Sequence, residues 1–292
     1  TARGTGKYII ANDPAVEATS STMLNGFNSS GFTLGGGGAI VNNGSGEYVS
    51  WTFRKKSKFF DIVQYTGNTT NRTIAHNLGS VPGMIMIKDL SGTGAWAVYH
   101  RSVNNESSPE NYVLTLNTTA GDATGVWNST APTSSVFSVG TDGTVNESGR
   151  NFIAYLFAHN NNDGEFGPTQ DQDIIKCGHV ETDSSEEATV DLGFEPQWIL
   201  FKRYNSSTGG DWNIYDNTRG LQGAFVSFAE SVFANTNAEV DTTTNRIAVT
   251  STGFKMDNYG TNRPYIYVAI RRGPMATPTA ATDVFSLVSQ AG

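Results

Sequence analysis

An internal repeat is the feature that most limits what this chain can fold into. The stretches 60–101 and 172–219 share one pattern: a Leu-Gly pair, a proline, an apolar run and a Trp-x-x-Tyr segment. The matched positions, 114 residues apart at the start and 116 at the end, are Leu78 and Leu192, Pro82 and Pro196, Trp96 and Trp212, and Tyr99 and Tyr215. Self-similarity at a fixed spacing marks a repeated structural unit, so the fold must contain similar units in series.

A second pattern occurs three times and indicates part of a further unit. Each copy is a strand-like piece followed, after a turn of Gly, Asn or Ser, by a closing segment. The pairs are 31–34 with 47–54 (EYVSWTFR), 136–139 with 151–158 (NFIAYLFA) and 253–256 with 264–271 (PYIYVAIR). In addition, Arg3-Gly4 resembles Arg219-Gly220, and Asn12 to Glu17 resembles Asn235 to Glu239. The start of the chain is therefore interpreted as the back half of a unit.

The repeats predict four segments along the chain. Residues 1–56 are the C-terminal half of a truncated β module, and 57–167 and 168–273 are complete β-sandwich modules. Residues 274–292, with Pro278 in a Pro- and Thr-containing stretch, are predicted to be a linker or tail. The first three segments are called the first, second and third units below.

The runs of β-branched and aromatic residues predict an all-β fold of tandem antiparallel β-sandwich modules, of the jelly-roll or lectin-like kind. The continuous apolar runs Met84–Ile87 and Trp198–Phe201 predict strands that are buried on both faces. One short helical turn is predicted at Ser108-Pro109-Glu110, with Ser108 as the N-cap and Pro109 at the first helical position.

Composition narrows the classes of partner. The 292 residues include 19 basic and 27 acidic side chains, and the net charge of −8 is the wrong sign for binding nucleic acid through its phosphates. No run of 18 apolar residues and no basic-then-apolar leader pattern occurs, so neither a membrane span nor a cleaved signal is expected. The single cysteine, Cys177, cannot form a disulfide within the chain and matches no zinc spacing.

The residues of metal-ligand type predict no cofactor and no metal. The four histidines lie in different segments without an i, i+4 pair. They are His76, His100, His159 and His179. The loop Asn160–Glu165 offers oxygens that calcium accepts but lacks EF-hand spacing, so a turn between units is favoured. Gly35–Gly38 precedes no predicted helix and is interpreted as a hairpin loop rather than a phosphate site.

The repeats argue against catalysis. A retaining glycosidase needs two carboxylates about 5 to 5.5 Å apart, but acidic residues are not kept in register between the units, and His100 aligns with Asp216. The one well-matched charged pair, Lys88 with Lys202, lies at strand ends, where a surface lysine that extends its amine to water is expected. We therefore predict no enzymatic activity and no catalytic residue.

Trp127 is the candidate carbohydrate-binding residue. It lies in the polar stretch 125–130, where an exposed indole could stack on a sugar ring, and the alternative is that it closes one end of the sandwich. The corresponding loop of the third unit has no matching tryptophan. Trp96 and Trp212, which match each other within strands, are predicted to pack in the core.

Several spaced motifs occur together over nearly the whole chain. They are His76-Asn77-Leu78-Gly79 with Pro82, Trp96 with Tyr99, and the closing Arg271-Arg272-Gly273-Pro274. Together they resemble a repeat module of virion proteins from marine tailed bacteriophages, including cyanophages. The resemblance implies a tail fibre or tail-associated structural protein with a lectin-like β-sandwich. It implies a location on the virion, other virion proteins as partners, a homo-oligomeric state and a host-surface glycan as a further partner.

Three functional hypotheses follow. The favoured one is a non-enzymatic phage virion structural protein that contacts the host surface, because low charge content, Gly- and Asn-rich loops and tandem modules suit a rigid extracellular particle part. The second is a carbohydrate-binding module of a secreted or particle-borne protein. The third, less favoured because the acids are out of register, is a glycan-cleaving enzyme.

We predict that residues 1–56 do not fold alone. Phe32–Leu34 and Tyr48–Phe53 correspond to closing strands whose partners in the later units include the apolar strands at 84–87 and 198–201. Native sheets avoid unpaired edges and wet apolar faces. The missing half would come from an upstream polypeptide, which we favour, from a neighbouring subunit, or from docking onto the second unit.

Separate expression of residues 1–56 and 57–273 tests this prediction. The short piece should show no cooperative thermal unfolding and no protected amides in hydrogen exchange. Cooperative unfolding of the short piece alone would show that the unit boundaries are wrong.

Overall fold

The computed structural model describes residues 3–36, 41–42, 44, 46–205, 210–225, 230–237 and 246–273. Over these ranges the chain is all-β, as predicted, and its helical segments have four residues or fewer. The predicted tail at 274–292 and residues 37 and 38 of the Gly-rich loop lie outside the described residues. No helix in this part of the chain is long and apolar enough to span a membrane.

The strands are short and follow one another closely. They are β1 (Lys7–Tyr8), β2 (Ala18–Thr19), β3 (Leu24–Phe27), β4 (Phe32–Leu34), β5 (Phe60–Thr66), β6 (Arg72–Ala75), β7 (Pro82–Asp89), β8 (Ala97–His100), β9 (Tyr112–Thr115), β10 (Ala123–Thr124), β11 (Val136–Val139), β12 (Asn151–Ala158), β13 (Ile175–Glu181), β14 (Ala188–Asp191), β15 (Pro196–Arg203), β16 (Asn213–Asp216), β17 (Val232–Phe233), β18 (Arg246–Thr250), β19 (Gly253–Asp257) and β20 (Pro264–Arg271). The helical segments are α1 (Gly143–Asn146) and the 3-10 turns Val103–Glu106, Pro109–Asn111 and Asn217–Arg219.

The helical turn predicted near Pro109 is present, and Ser108 occupies its N-cap position as predicted. Pro109 begins the 3-10 turn, as expected for a residue whose φ suits the first helical position. The side chain of Ser108 makes no capping hydrogen bond, because its φ of 50° is left-handed, whereas a capping residue normally has extended backbone angles.

The second and third units are antiparallel sandwiches with the same strand order. In the second unit, the sheet β10-β9-β8-β7-β12-β5 packs against the pair β11-β6. In the third unit, the sheet β17-β16-β15-β20-β13 packs against β14-β19-β18. Strands β5, β7 and β12 thus correspond to β13, β15 and β20, and the sequence repeat is also a repeat of topology. The predicted fold of tandem β-sandwiches is confirmed.

The central strands are buried on both faces, as their apolar runs predict. In β7 every residue is buried except Met86, which is half-buried, and Trp198–Phe201 of β15 are all buried. One face of each large sheet covers the small sheet of its own unit. The other face joins a shared apolar cluster in which residues of all three units meet, including Phe157 and Trp198. Burial of this apolar surface is the main favourable contribution to folding.

Residues 46–55 form no strand, so the prediction of a closing strand at 47–54 is wrong. The segment instead contacts both later units. The ring of Phe53 lies 5.5 Å from that of Phe157 and 5.8 Å from that of Trp198. Trp51 Nε1 donates a hydrogen bond to Asp216 Oδ2 at 3.2 Å. The apolar pattern indicated burial, but neighbouring units, rather than a sheet of the first unit, cover these side chains.

The N-terminal segment docks on the second unit through a backbone carbonyl. Trp96 Nε1 donates to Ile10 O at 3.1 Å, and the matched Trp212 Nε1 donates to Thr115 O of the second unit at 2.9 Å. Ile10 and Thr115 each lie two residues before an asparagine of the repeat. The carbonyl that accepts from Trp96 therefore has the same position in the first unit as the carbonyl that accepts from Trp212 has in the second unit. Docking onto the second unit is the arrangement observed for this segment.

Lys88 and Lys202 are fully buried, so the prediction of surface lysines is wrong. Lys88 Nζ donates at 3.0 to 3.1 Å to the backbone oxygens of Pro14, Asp89 and Gly94. Lys202 Nζ donates to Gly210 O and lies 5.5 Å from the centre of the Trp212 ring. Burial lowers the pKa of both amines, that of Lys202 to about 8. Because packing covers the strand ends, each amine binds loop carbonyls instead of water.

Replacing Lys88 with Met should destabilise the fold. The variant removes three charge-assisted hydrogen bonds and leaves their carbonyls without this donor, so we expect a loss of about 3 kcal/mol in the free energy of unfolding. Urea unfolding followed by tryptophan fluorescence measures it. The control Lys255→Met changes an exposed lysine on β19 and should stay within about 0.5 kcal/mol of wild type. Equal midpoints for the two variants would contradict the structural role of Lys88.

Candidate functional site

Arginines lie where the units meet, and one of them has an unpaired guanidinium. Arg3 Nη1 donates to Glu17 Oε1 at 2.9 Å, and Arg219 Nη2 donates to Asp216 Oδ2 at 2.6 Å. Arg101 ends the repeat pattern in the second unit as Arg219 does in the third, and its guanidinium makes no hydrogen bond or ion pair with another residue in the described ranges. Arg101 therefore keeps its hydrogen-bonding capacity available.

Arg101 lines a cleft of about 630 Å³ in the second unit, beside β13 of the third. The cleft is built from the turns before β5 and β7, the end of β8, the loop that follows it, the loop before β11 and the turn after β12. Its polar side chains include Lys58, Ser80, Arg101, Glu106, His159 and Asp163. His179 on β13 borders it, with Nδ1 3.8 Å from Glu106 Oε1. A cleft of this volume with a few convergent polar groups is typical of small-molecule sites.

The loop after β8 forms one wall of the cleft in a strained backbone conformation. The residues with φ between 50° and 65° are Asn104, Asn105, Glu106 and Ser108. This region costs residues other than glycine of order 1 kcal/mol each. Tyr204 of the third unit holds the loop, because its hydroxyl donates to Asn105 Oδ1 at 2.6 Å and accepts from Asn105 N at 3.3 Å. The strain is thus maintained by the neighbouring unit and fixes the position of Glu106.

Three of the four histidines, although they lie in different segments of the sequence, come close enough to interact electrostatically beside Arg101: they are His100, His159 and His179. They come together because β13 of the third unit packs beside β7 and β12 of the second. Sequence spacing could not show this contact between units. In the part of the chain that the structure describes, no group of three or more His, Cys, Asp or Glu side chains is placed to hold a metal ion.

His100 and His159 are neutral at pH 7. His100 Nδ1 accepts from Ser102 N at 3.2 Å, its Nε2 donates to Tyr267 O at 3.0 Å, and burial lowers its pKa to about 3. His159 Nδ1 accepts from Cys177 N at 3.2 Å, and burial together with neighbouring positive charges lowers its pKa to about 4. A neutral ring whose Nδ1 accepts carries its proton on Nε2. His159, which lines the cleft, therefore has a donor at Nε2.

Cys177 is a structural neighbour of the cleft rather than a reactive thiol. It is 1% exposed, and its Sγ donates to Ala158 O at 3.4 Å. Burial raises the pKa of the thiol far above neutrality, so the nucleophilic thiolate is scarcely populated at pH 7. A methyl group on Gly83 would lie 2.6 Å from Cys177 Sγ, which shows how closely β7 and β13 pack.

Trp127 is only 2% exposed, so the expectation of an exposed indole is wrong. Its Nε1 donates to Tyr112 O at 2.8 Å, and its ring meets that of Tyr99 edge-on at 6.0 Å. The ring has no free face on which a sugar could stack. Trp96 and Trp212 are 5% and 1% exposed, which confirms the prediction that both pack in the core.

The buried carboxylates have structural partners. Asp61 pairs with Lys55 at 2.7 Å, and Asp89 pairs with Arg150 at 2.9 Å. Both also accept hydrogen bonds from backbone N–H groups. In the Asn160–Glu165 loop, Asn160 Oδ1 accepts from two backbone N–H groups at the start of β13. These bonds fix turns, in agreement with the favoured interpretation of that loop as a turn between units.

Sequence reasoning missed Arg101 and its cleft, although one signal was present. The alignment pairs His100 with Asp216, and Asp216 is the acid that accepts from Arg219. Where the third unit has a carboxylate, the second has a neutral histidine whose Nε2 already donates to Tyr267 O. An arginine whose acidic partner is replaced in the other repeat keeps its donors for a ligand, which makes it a candidate site residue. The candidate becomes visible only once Asp216 and Arg219 are known to pair.

The chain belongs to the family described as a domain of unknown function (DUF7483), whose model matches residues 1–274. The match spans all three units. No curated protein and no solved structure matches the chain.

Acid should destabilise the fold through His100. Its pKa is about 3 when folded and about 6.5 when unfolded, so the unfolded state binds more protons as the pH falls below about 6.5. The stabilisation is complete above that pH and falls by about 1.4 kcal/mol per pH unit between about 6.5 and 4. Replacing His100 with Gln should make the decline shallower by that amount in urea unfolding at constant ionic strength.

The control for this experiment is Trp212→Phe. It removes another hydrogen bond between units but no titrating group, so it should lower stability by a similar amount at every pH. A His100→Gln variant whose stability falls with acid as steeply as that of wild type would show that His100 is not the group that titrates.

Proposed function

We propose that the chain is a non-enzymatic structural component of a phage particle, in a tail fibre or another tail-associated part, with a host-contacting role. One observation carries the proposal: the second and third units each donate a buried indole N–H to a carbonyl of the unit before them, and all three units share one apolar cluster. Units joined in this way form a stiff body, which suits an extracellular particle part. The resemblance of the repeats to virion modules supports the same assignment.

The absence of catalysis in this proposal is supported by the environment of the reactive groups. Burial lowers the pKa values of His100 and His159 to about 3 and 4, too low for a general base that works near neutrality. Burial raises the pKa of the Cys177 thiol. The carboxylates of Asp61 and Asp89 are neutralised by cations and backbone donors. No cofactor is part of the proposal.

The proposed partners are other virion proteins, further copies of the chain and a glycan of the host surface. Closed symmetry would give a fibre or tail part avidity for repeated surface ligands. The net charge of −8 disfavours nucleic acid as a partner. The proposed location is the outer surface or tail of the virion.

A carbohydrate-binding module is the second candidate, and the cleft beside Arg101 favours it. The cleft has the volume of a small-molecule site and a guanidinium without a partner among the described residues. This candidate does not depend on Trp127, whose ring is buried. The two candidates are compatible, since a particle component can carry a binding site.

An antibody raised against the chain tests the particle assignment. It should label purified particles of the phage whose genome encodes the chain, at the tail, in electron microscopy. Labelling of the producing cells with none on the particles would contradict the proposal. Reducing-sugar release from bacterial envelope glycans should equal that of a heat-denatured sample, and a turnover abolished by replacing one acidic pair would show an enzyme.

A further inference from the structure

We propose that the cleft beside Arg101 binds the carboxylate of an acidic sugar, of the uronate class. The inference deepens the host-contacting part of the proposed function and rests on that function only for its biological setting. The proposal assigns a class of ligand and names Arg101, Ser80 and His159 as its main binding residues. A structural role in a particle would not require either.

The contrast between the arginines is the first argument. Arg3 and Arg219 sit at their junctions with Glu17 and Asp216 as acceptors. Arg101 lies close enough to Tyr267 and Cys177 of the third unit to act on their ionisation, yet no carboxylate of the described chain accepts from it. A guanidinium presents a planar fork of donors that matches a carboxylate. At this junction the acceptor would come from a ligand.

Two further donors in the same cleft have no acceptor among the described residues. Ser80 Oγ is buried and unpartnered, in a residue only 9% exposed. The neutral ring of His159 has its proton on Nε2, because Nδ1 accepts from Cys177 N, and no described residue accepts from that Nε2. Buried polar groups are nearly always hydrogen-bonded in native proteins. Of the three donors, Ser80 Oγ is fully buried, whereas Arg101 and His159 are half-buried and line the open cleft. A single ligand that accepts hydrogen bonds would satisfy all three.

The acids of the cleft select the kind of anion. Glu106 accepts from Ser102 through Oε1, and Asp163 accepts from Asn161 N through Oδ1. Each carboxylate keeps a second oxygen that no hydrogen bond from the described chain uses. Lys58 also lines the cleft, but its amine is already paired with Glu165 Oε1 at 2.6 Å. The two negative groups would therefore repel a phosphate dianion more strongly than a singly charged carboxylate. They would also accept hydrogen bonds from hydroxyls, so the favoured ligand has one carboxylate and several hydroxyls, which is a uronic acid.

The position of the acceptor Glu106 is prepared in advance. Its loop holds a strained conformation through Tyr204, and Ser102 Oγ donates to Glu106 Oε1 at 2.9 Å. Strained loops that surrounding structure fixes are concentrated at ligand sites. Fixing a side chain before binding lowers the entropy lost on association. The third unit thus shapes a cleft whose lining residues belong to the second.

The test is the binding of D-glucuronate by the whole chain, measured by isothermal titration calorimetry at millimolar ligand. We expect saturable binding, weaker binding of D-glucose and of inorganic phosphate, and a loss of about tenfold or more in Arg101→Gln. Arg101→Lys should bind with intermediate affinity, because it keeps the charge but not the planar fork. The matched control is Arg272→Gln, which changes an exposed arginine outside the cleft and should leave the affinity unchanged.

A second measurement uses the wild-type chain and needs no folded variant. Phenylglyoxal modifies accessible arginines, and mass spectrometry locates the products. Glucuronate should protect Arg101 from modification and leave Arg272 unprotected. Absence of glucuronate binding, equal binding by Arg101→Gln, tighter binding of phosphate, or no protection of Arg101 would each overturn the inference. Tail labelling by the antibody together with any of these results would overturn the ligand assignment alone, and the particle role would stand.

Discussion

The hydrogen bond from a buried tryptophan to the preceding unit is the interaction on which the rest of the structure depends. Trp96 and Trp212 reach Ile10 and Thr115, which occupy the same place in successive copies of the repeat. An indole N–H needs an acceptor when it is buried, and here the acceptor lies in another unit. The requirement fixes how neighbouring units approach each other. Lysine burial, the shared apolar cluster and the cleft beside Arg101 all depend on that approach.

The buried lysines show what close packing of units demands of polar groups. A strand end in an isolated sandwich would meet water, and a lysine there would be solvated. In this chain the same position is covered, so Lys88 satisfies its three donors with loop carbonyls, one of which belongs to the first unit. An amine held in this way links the strand to two loops at once. The amine loses its hydration and gains hydrogen bonds to carbonyls that only the assembled units place within reach.

Most of the fold could be predicted from the sequence, because the repeat and the strand periodicity depend on local chemistry. The apolar runs at 84–87 and 198–201 correctly indicated strands buried on both faces. Two of the failures share one cause, which is contact between units. Residues 47–54 lack a strand and Lys88 is buried because residues of other units pack against them. Trp127 is instead covered by Tyr112 and Tyr99 of its own unit, a long-range contact that periodicity does not record. The site was missed for the same reason, since the importance of Arg101 appears only when its neighbours from β13 and its paired counterparts are seen together.

The contact between Trp51 and Asp216 has a mechanical consequence. In a simple string of units, each junction carries tension separately, and the weakest one opens first. Here the end of the first unit returns to the third through Trp51, while Phe53 also touches Phe157 of the second. Each of the three units therefore contacts both of the others. A force that separates the first and third units acts on their direct contact and on their contacts through the second unit, so the three units resist shear together.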